Sequence, residues 1–482
     1  MCYNGHNKEY PFLLRLRKIV MVMLKKKAEI YKKLSYVEEK LKEMLPKTDA
    51  YVSVHQYRHL VRRDDSGKEI WTEVIQAALL ENEAVYFPTM KEPYYIDGTV
   101  VIPSNRHIYA EDGAVIKQME GVKVLMFRNE HVVDGTHKKP EVSKKDINIS
   151  IIGGRWEESY EKRAGYGLSG MSDANRSLYG VSTNMLFVNV ENLILKDMVF
   201  AHTAGFAVQT GELHNALFEN IVFDTCYADG LHLNGNSENL VIRNICGQVG
   251  DDLVALNMYD WQNSSINFGP IKTVLCEDLY PLTEETGYKA MRILPGIYYF
   301  EDGSQVDCSL EDAIIKNVRG VDTFKLYFQT PPYKLGEMPE QGGVGSGKYL
   351  FFENIHMNLR QPADTFREYM TGDPVRGTFA CFELGANIEH VSFENIHVNI
   401  YKEEFPRSFF LCIGPKSIVR NERELFDPYV SSRVKYIYTK NIFVNGVLVK
   451  DIRPYMHEIV FEDVNGDGFS SGQGVIGELI QI

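Results

Sequence analysis

Apolar and polar positions alternate through a series of short segments in this chain, and most of the segments end alike. INISIIGG at 147–154, VENLILKDMVF at 190–200, LHNALFENIVF at 213–223 and SENLVIRNICG at 237–247 set the pattern. LEDAIIKNVRG at 310–320, KYLFFENIHM at 348–357, IEHVSFENIHV at 388–398, KYIYTKNIFVNG at 435–446 and MHEIVFEDVNG at 456–466 repeat it. A period of two is that of a β-strand, whose successive side chains point to opposite faces. Each run after the first meets Asn or Asp just before Val, Ile or Met, at Asp197, Asn220, Asn244, Asn317, Asn354, Asn395, Asn441 and Asp463. The first steps are 23 and 24 residues and the last is 22, while the 73 residues from Asn244 to Asn317 come close to three such units. Longer steps require inserted loops. A repeat of this length is too short for a propeller blade and too rich in strands for a helical array. It predicts an all-β right-handed parallel β-helix, a three-sided solenoid of about 22–24 residues per coil whose strands pair with the coils above and below. Asn suits the corners, because it bonds turn backbone and tolerates a left-handed conformation. A β-sandwich with coincidental spacing is the competing reading.

Two helical stretches come first. Val20, Met23, Leu24, Ile30, Leu34, Val37, Leu41 and Leu45 fall near a 3.6-residue period within residues 14–45, and Pro46 closes the pattern. Residues 1–50 therefore read as an N-terminal helical extension, expected to cover an end of the solenoid or to make a dimer contact. Residues 51–482 read as the β-helix catalytic domain, opening with a second helix over 69–80. Insertions at 155–183, 258–308, 325–347, 358–386 and 400–434 mark a functional face, since solenoids take extra residues as loops. Their aromatic residues would wall a cleft: Trp156, Tyr160, Tyr166, Tyr259, Trp261, Tyr280, Tyr288, Tyr298, Tyr299, Tyr327 and Tyr333.

Composition narrows the partners. A net charge of −13 disfavours nucleic acid, whose binding draws on phosphate neutralisation, but leaves room for an anionic sugar held by local basic groups. The apolar stretch from Ile19 to Leu24 is too short to span a bilayer, so no membrane partner is expected. Seven cysteines, widely spaced and without a CxxC pair, read as buried free thiols in a reducing, cytoplasmic setting. A homo-oligomer stays open.

Chemistry concentrates in two successive coils, CYADGLHLNG and CGQVGDDLVALN. Asp229 precedes Asp251 by 22 residues and Asp252 by 23. Residues one coil apart lie about 4.8 Å from each other, so the fold would gather three carboxylates at one point. Such a cluster sets unequal proton affinities, as glycosidic hydrolysis requires: one carboxyl protonates the leaving oxygen and another activates water. Asp112, His202, His214 and Tyr259 are candidates for the same face, and His232 for sugar hydroxyls. No GxGxxG, GxxxxGK or HExxH is present. DVNGDG at 463–468 begins like a calcium loop but lacks its closing Glu. Neither cofactor nor metal is expected.

DGLHLNG, VGDDLVAL and the strand rhythm resemble glycoside hydrolase family 28, the polygalacturonase-like family within the pectin-lyase-like β-helices. The resemblance covers about residues 70–466 in architecture, with its sharp motifs confined to about 225–295. YADG stands in the place of the family's NTDG and Gly250-Asp251-Asp252 in that of its GDD, while Arg292 in AMRILPG fills the arginine place of RIK. By this resemblance Asp251 is the general acid, and Asp229 and Asp252 position water. The family's GHG is absent, Leu294 stands at its RIK lysine, and His232 stands where another aspartate is common. The expected activity is that of a divergent, inverting, exo-acting O-glycosyl hydrolase on a plant-cell-wall or related oligosaccharide, with galacturonide, rhamnose or galactose ends all open. A uronate lyase is the first alternative, for which Lys272, Lys289 and Arg292 are the available cations, and Tyr259, Trp261, Lys289 and His202 complete the substrate-binding candidates. A non-catalytic carbohydrate-binding spike is the second.

Overall fold

The computed structural model describes residues 9–481 apart from 123, 133–143, 159–171, 174–175, 178–182, 261–264, 283–288, 301, 322–323, 328–343, 360–378, 404–407, 414–416, 420–422, 426–431 and 459–473. Most of the expected insertions, and the anchor expected at Asp463, lie outside the described residues. Twenty-six strands join in one hydrogen-bonded set, parallel from coil to coil, and the chain is a right-handed parallel β-helix. The alternation explains the interior. Leu193, Ala216, Leu240, Val274, Ala313, Leu350, Val391 and Ile437 form one inward column, each in register with the next. All belong to a single core that runs the length of the solenoid. The helix Thr72–Glu81 buries Val74, Ile75, Ala78 and Leu79 in the same core, beside Val85 and Phe87 of the first coils.

The asparagines do at the corners what their chemistry permits. Asp197, Asn220, Asn244, Asp278, Asn317, Asn354, Asn395 and Asn441 all take φ between 52° and 59°. Each amide donates to the anchor one coil below, at 2.7 Å from Asn220 to Asp197, 2.8 Å from Asn244 to Asn220 and 2.8 Å from Asn441 to Asn395. Asp278 corrects the expected count. Asn317 bonds to it across 39 residues, so two long coils rather than three short ones separate Asn244 from Asn317. A second ladder, Asn105–Asn148–Asn192–Asn215–Asn239, runs along another corner at 2.8–3.0 Å per step.

The N-terminal helix, which we label α1 (Glu9–Glu43), lies along a flank of the solenoid instead of over an end. Its Met23, Ile30, Leu34, Val37 and Leu41 cover an outward column made by Ile194, Leu217, Val241, Leu275, Ile314, Phe351, Tyr438 and Ile480. A helix of 35 residues reaches about 52 Å, roughly ten coils, which matches this span. Beside the apolar column runs a charged one: Lys196, Glu219, Arg243, Glu277, Lys316, Glu353, Glu394 and Lys440. Signs alternate until Glu353 and Glu394, which are neighbours of like charge. There α1 supplies the missing cation, as Lys27 pairs with Glu353 and lies 3.8 Å from Glu394. Glu38 of α1 meets Arg243 at 3.1 Å, so the helix runs antiparallel to the advance of the coils.

At Glu158 burial captures a carboxyl without a basic partner among the described residues. It is 1% exposed and accepts one backbone N–H, from Ala204 at 2.5 Å. Burial outweighs that bond and pushes its pKa up to about 8.

Two outcomes are expected. Lys27→Ala takes from Glu353 the cation that separates it from Glu394, which keeps Lys440 at 2.6 Å, and costs about 1 kcal/mol in urea unfolding, and adding Glu394→Gln recovers part of the loss. A double variant no better than the single would show that Lys27 acts only through packing. Glu158 holds a proton in the folded protein that the unfolded chain releases above about pH 4.5. Its contribution is full below that pH and is lost as pH rises through about 8. Relative to Glu158→Gln, the wild type therefore loses on the order of a few kcal/mol between about pH 5 and about pH 8. Parallel urea curves at both ends of the window measure this. A constant difference between the two proteins would show the carboxyl to be ionised throughout.

Candidate functional site

Two turns place the carboxylates. The strands Leu231–Asn234, Asp252–Asn257 and Lys289–Ile293 stack in parallel, with Leu231 over Val254 and Val254 over Met291. Continuing that register upstream sets Asp229 beside Asp252, one coil on, with Asp251 just before it in the turn. Backbone bonds fix the stack: Gly230 N–H donates to Asp252 C=O at 2.9 Å, and Asp251 N–H to Ala228 C=O at 3.3 Å. Gly250 serves close approach, since a Cβ there would fall 2.3 Å from the Tyr227 carbonyl oxygen. The G of GDD is thus a steric requirement of the turn.

One oxygen from each of Asp229, Asp251 and Asp252 lies within 4.8 Å of the others. Asp229 and Asp252 are fully buried, and Asp251 is 7% exposed. Into this cluster reaches Arg292, on the next coil. Its Nη2 donates to Asp251 at 3.2 Å and lies 4.0 Å from Asp229, while Nε stands 2.9 Å from Asp252 outside hydrogen-bond alignment. Burial opposes charge on the guanidinium, but Asp251, Asp252, Asp229 and Asp260 together hold its pKa well above the usual value. The three oxygens are spaced as ligands of a divalent cation would be. The guanidinium already supplies positive charge at that point.

A second layer surrounds Asp229. Its Oδ1 accepts the Asp252 N–H at 3.1 Å, and its Oδ2 lies 2.7 Å from His232 Nδ1. His232 is fully buried and stacks on Phe206 with centroids 3.8 Å apart. Its Nε2 faces Asn234 Nδ2 at 3.2 Å and Asp260 Oδ2 at 3.7 Å. Asn257 Nδ2 donates to Asp260 at 2.8 Å. Asp260, Asn234, Asn257 and Phe206 were not among the sequence candidates. Asn234 and Asn257 carry a legible signal, as they stand one coil apart in LHLN and VALN.

The remaining candidates scatter. Tyr259 is 2% exposed and packs in the core with Phe268 and Tyr298, at centroid distances of 5.9 and 6.3 Å, so it walls no cleft. Trp156 is buried likewise, against Phe127. His202 is exposed on the turn one coil below, with no described contact to the carboxylates. His214 faces Glu238 at 3.4 Å on another side of the coil, and Asp112 is exposed in an early coil. Lys289 pairs by backbone with Asp252, which puts its Cα one coil from the cluster. Trp261 lies outside the described residues. A groove of about 920 Å³ opens on a different face, where Tyr280, Arg319, His356 and His397 stack at coil spacing. It contains no carboxylate cluster among the described residues.

No protein-family model and no curated protein sequence matches the chain. Among solved structures, an exopolygalacturonase of Thermotoga maritima is 12% identical over 86% of this chain and 97% of its own, with a TM-score of 0.51. A family 28 exopolygalacturonase of Yersinia enterocolitica is 15% identical over 89% and 78% respectively, with a TM-score of 0.45. A GH87 α-1,3-glucanase of Streptomyces thermodiastaticus is 10% identical over 91% and 69%, with a TM-score of 0.44. The first of these likenesses establishes the fold that the ladders display, a right-handed parallel β-helix carrying an N-terminal helix.

Proposed function

We propose that this protein is a glycoside hydrolase that removes a terminal sugar from an oligosaccharide, with Asp229, Asp251 and Asp252 as its reacting carboxyl groups. The observation that carries the reading is the convergence of three buried carboxylates on one buried guanidinium. One positive charge does not balance three negative ones, so the cluster favours retention of a proton. Asp229 accepts two hydrogen bonds, and Asp252 has the nearest approach to Arg292. Asp251 is the most exposed of the three, which sets it nearest an entering sugar, and it takes the aligned hydrogen bond from Arg292 at 3.2 Å. By the resemblance it takes the general acid role, with Asp229 and Asp252 turning a water toward the anomeric carbon.

The resemblance to polygalacturonase-like enzymes implies inversion. The oxygens, within 4.8 Å of one another, stand closer than the roughly 6.5–9.5 Å at which inverting carboxyl pairs usually lie. This spacing favours a second reading, double displacement through a glycosyl-enzyme intermediate. Uronate ends are included because the backbone of Lys325 pairs with that of Arg292, one coil on, which places a second basic residue in that row.

A panel of galacturonides, rhamnosides and galactosides, followed by proton NMR during turnover, decides among these. Release of one sugar of inverted configuration is expected. Retention would replace inversion by double displacement, and an unsaturated product would replace hydrolysis by elimination. Asp251→Asn is expected to lower kcat by about 10²–10⁴-fold. Full activity in that variant would remove Asp251 from the acid role.

A further inference from the structure

The amide of Asn234 has only one orientation available. Its Oδ1 accepts the backbone N–H of Ile266 at 3.1 Å and Gln209 Nε2 at 3.1 Å. Its Nδ2 donates to the backbone carbonyl of Asn257 at 3.2 Å. A backbone N–H can only donate and a carbonyl can only accept, so these two partners distinguish oxygen from nitrogen without reference to any side chain. The same Nδ2 then faces His232 Nε2 at 3.2 Å with a hydrogen. That ring nitrogen must present its lone pair, because a second N–H there would point at the first.

We propose that His232 is held as the neutral Nδ1–H tautomer and is a positioning residue for Asp229, to which it gives that hydrogen at 2.7 Å. The tautomer follows from the Asn234 lock alone, whereas the positioning role rests on the hydrolase reading of Asp229. Two more contacts set the ring. Phe206 covers one face, and the ring is fully buried. With the ring fixed, Nδ1–H binds Oδ2 while the Asp252 N–H binds Oδ1, and the carboxylate plane of Asp229 is determined from both sides. The charged groups facing this unit are Asp260, 3.7 Å from Nε2, and Arg292, 4.0 Å from Asp229, with Asp251 and Asp252 beyond. Asp260 alone would draw a second proton onto the imidazole, and the Asn234 amide stands against it. Asn at position 234 thus selects tautomer and charge together, which Asp at that position would reverse.

The test begins with the unaltered protein, uniformly labelled with ¹⁵N at its 13 histidines. Long-range proton–nitrogen correlation near neutral pH reads each tautomer directly, and His232→Asn assigns the residue by loss of its signals. The expected pattern is a pyridine-like nitrogen coupled to both ring protons, which identifies an unprotonated Nε2. A pyridine-like nitrogen coupled to Hε1 alone, or two pyrrole-like nitrogens, would overturn the proposal. Kinetics then test the role. The amide nitrogen of Asn mimics Nδ1 and that of Gln mimics Nε2, so His232→Asn should keep kcat within about 10-fold and His232→Gln should lose about 100-fold. In the Gln variant the acid limb of kcat/KM should also shift relative to the wild type, a readout that lost packing alone would not move. Equal losses in both variants with no shift of the limb would overturn the positioning role while leaving the tautomer intact. Inactivity of the wild type on every glycan, with the expected spectrum, would overturn the positioning role through the hydrolase reading and not through the lock.

Discussion

Parallel stacking at about 4.8 Å per coil is the constraint from which the rest of this molecule follows. It obliges each residue to have a neighbour of the same parity one coil away, whatever the chain does in between. Coil steps grow from 23 residues at Asn220 to 46 at Asn441, yet the ladder bonds between anchors stay at 2.7–3.1 Å. Inserted residues are therefore expelled into loops and the register is untouched. The same rule brings Asp229 beside Asp252, aligns Arg292 with the row of His232, and sets the charges that flank α1.

The fold was legible where the signal is local. Period-two alternation and Asn before Ile mark strands and corners without any knowledge of what they touch. The count of coils between Asn244 and Asn317 was not, because a step of 39 residues and one of 24 leave the same kind of local trace. The resting place of α1 was missed for a different reason, although a trace of it exists. LIL, ALF, LVI, AII and LFF at 193–195, 216–218, 240–242, 313–315 and 350–352 are apolar on three consecutive positions. A strand with one wet face does not need that, and a strand buried on both faces does. The middle residue of each triplet is the one α1 covers.

The candidate site divides along the same line. Asp229, Asp251 and Asp252 could be paired from spacing because no insertion falls between their coils, and Arg292 came from its motif. Asp260 could not, since it lies past the end of its strand, where it meets Asn257 and His232. Tyr259 shows the converse. An aromatic residue close in sequence to catalytic candidates looked like a cleft wall, but the chain turns it inward against Phe268 and Tyr298. Proximity along the chain says little about facing once a strand has ended.

The docking of α1 bears on how such a chain reaches its final form. A solenoid without long-range contacts can assemble coil by coil, each repeat templated by its neighbour. Here α1, which precedes every coil it covers, shares one apolar cluster with Ile194 and with Ile480. Its complete site exists only once the coils from Ile194 to Ile480 are stacked, and the sequence separations involved run to several hundred residues. Such non-local closure slows folding and ties distant repeats into one transition. A stack of nearly independent layers is thereby converted into a unit that opens as a whole or not at all, with its completion signalled by the strap that spans it.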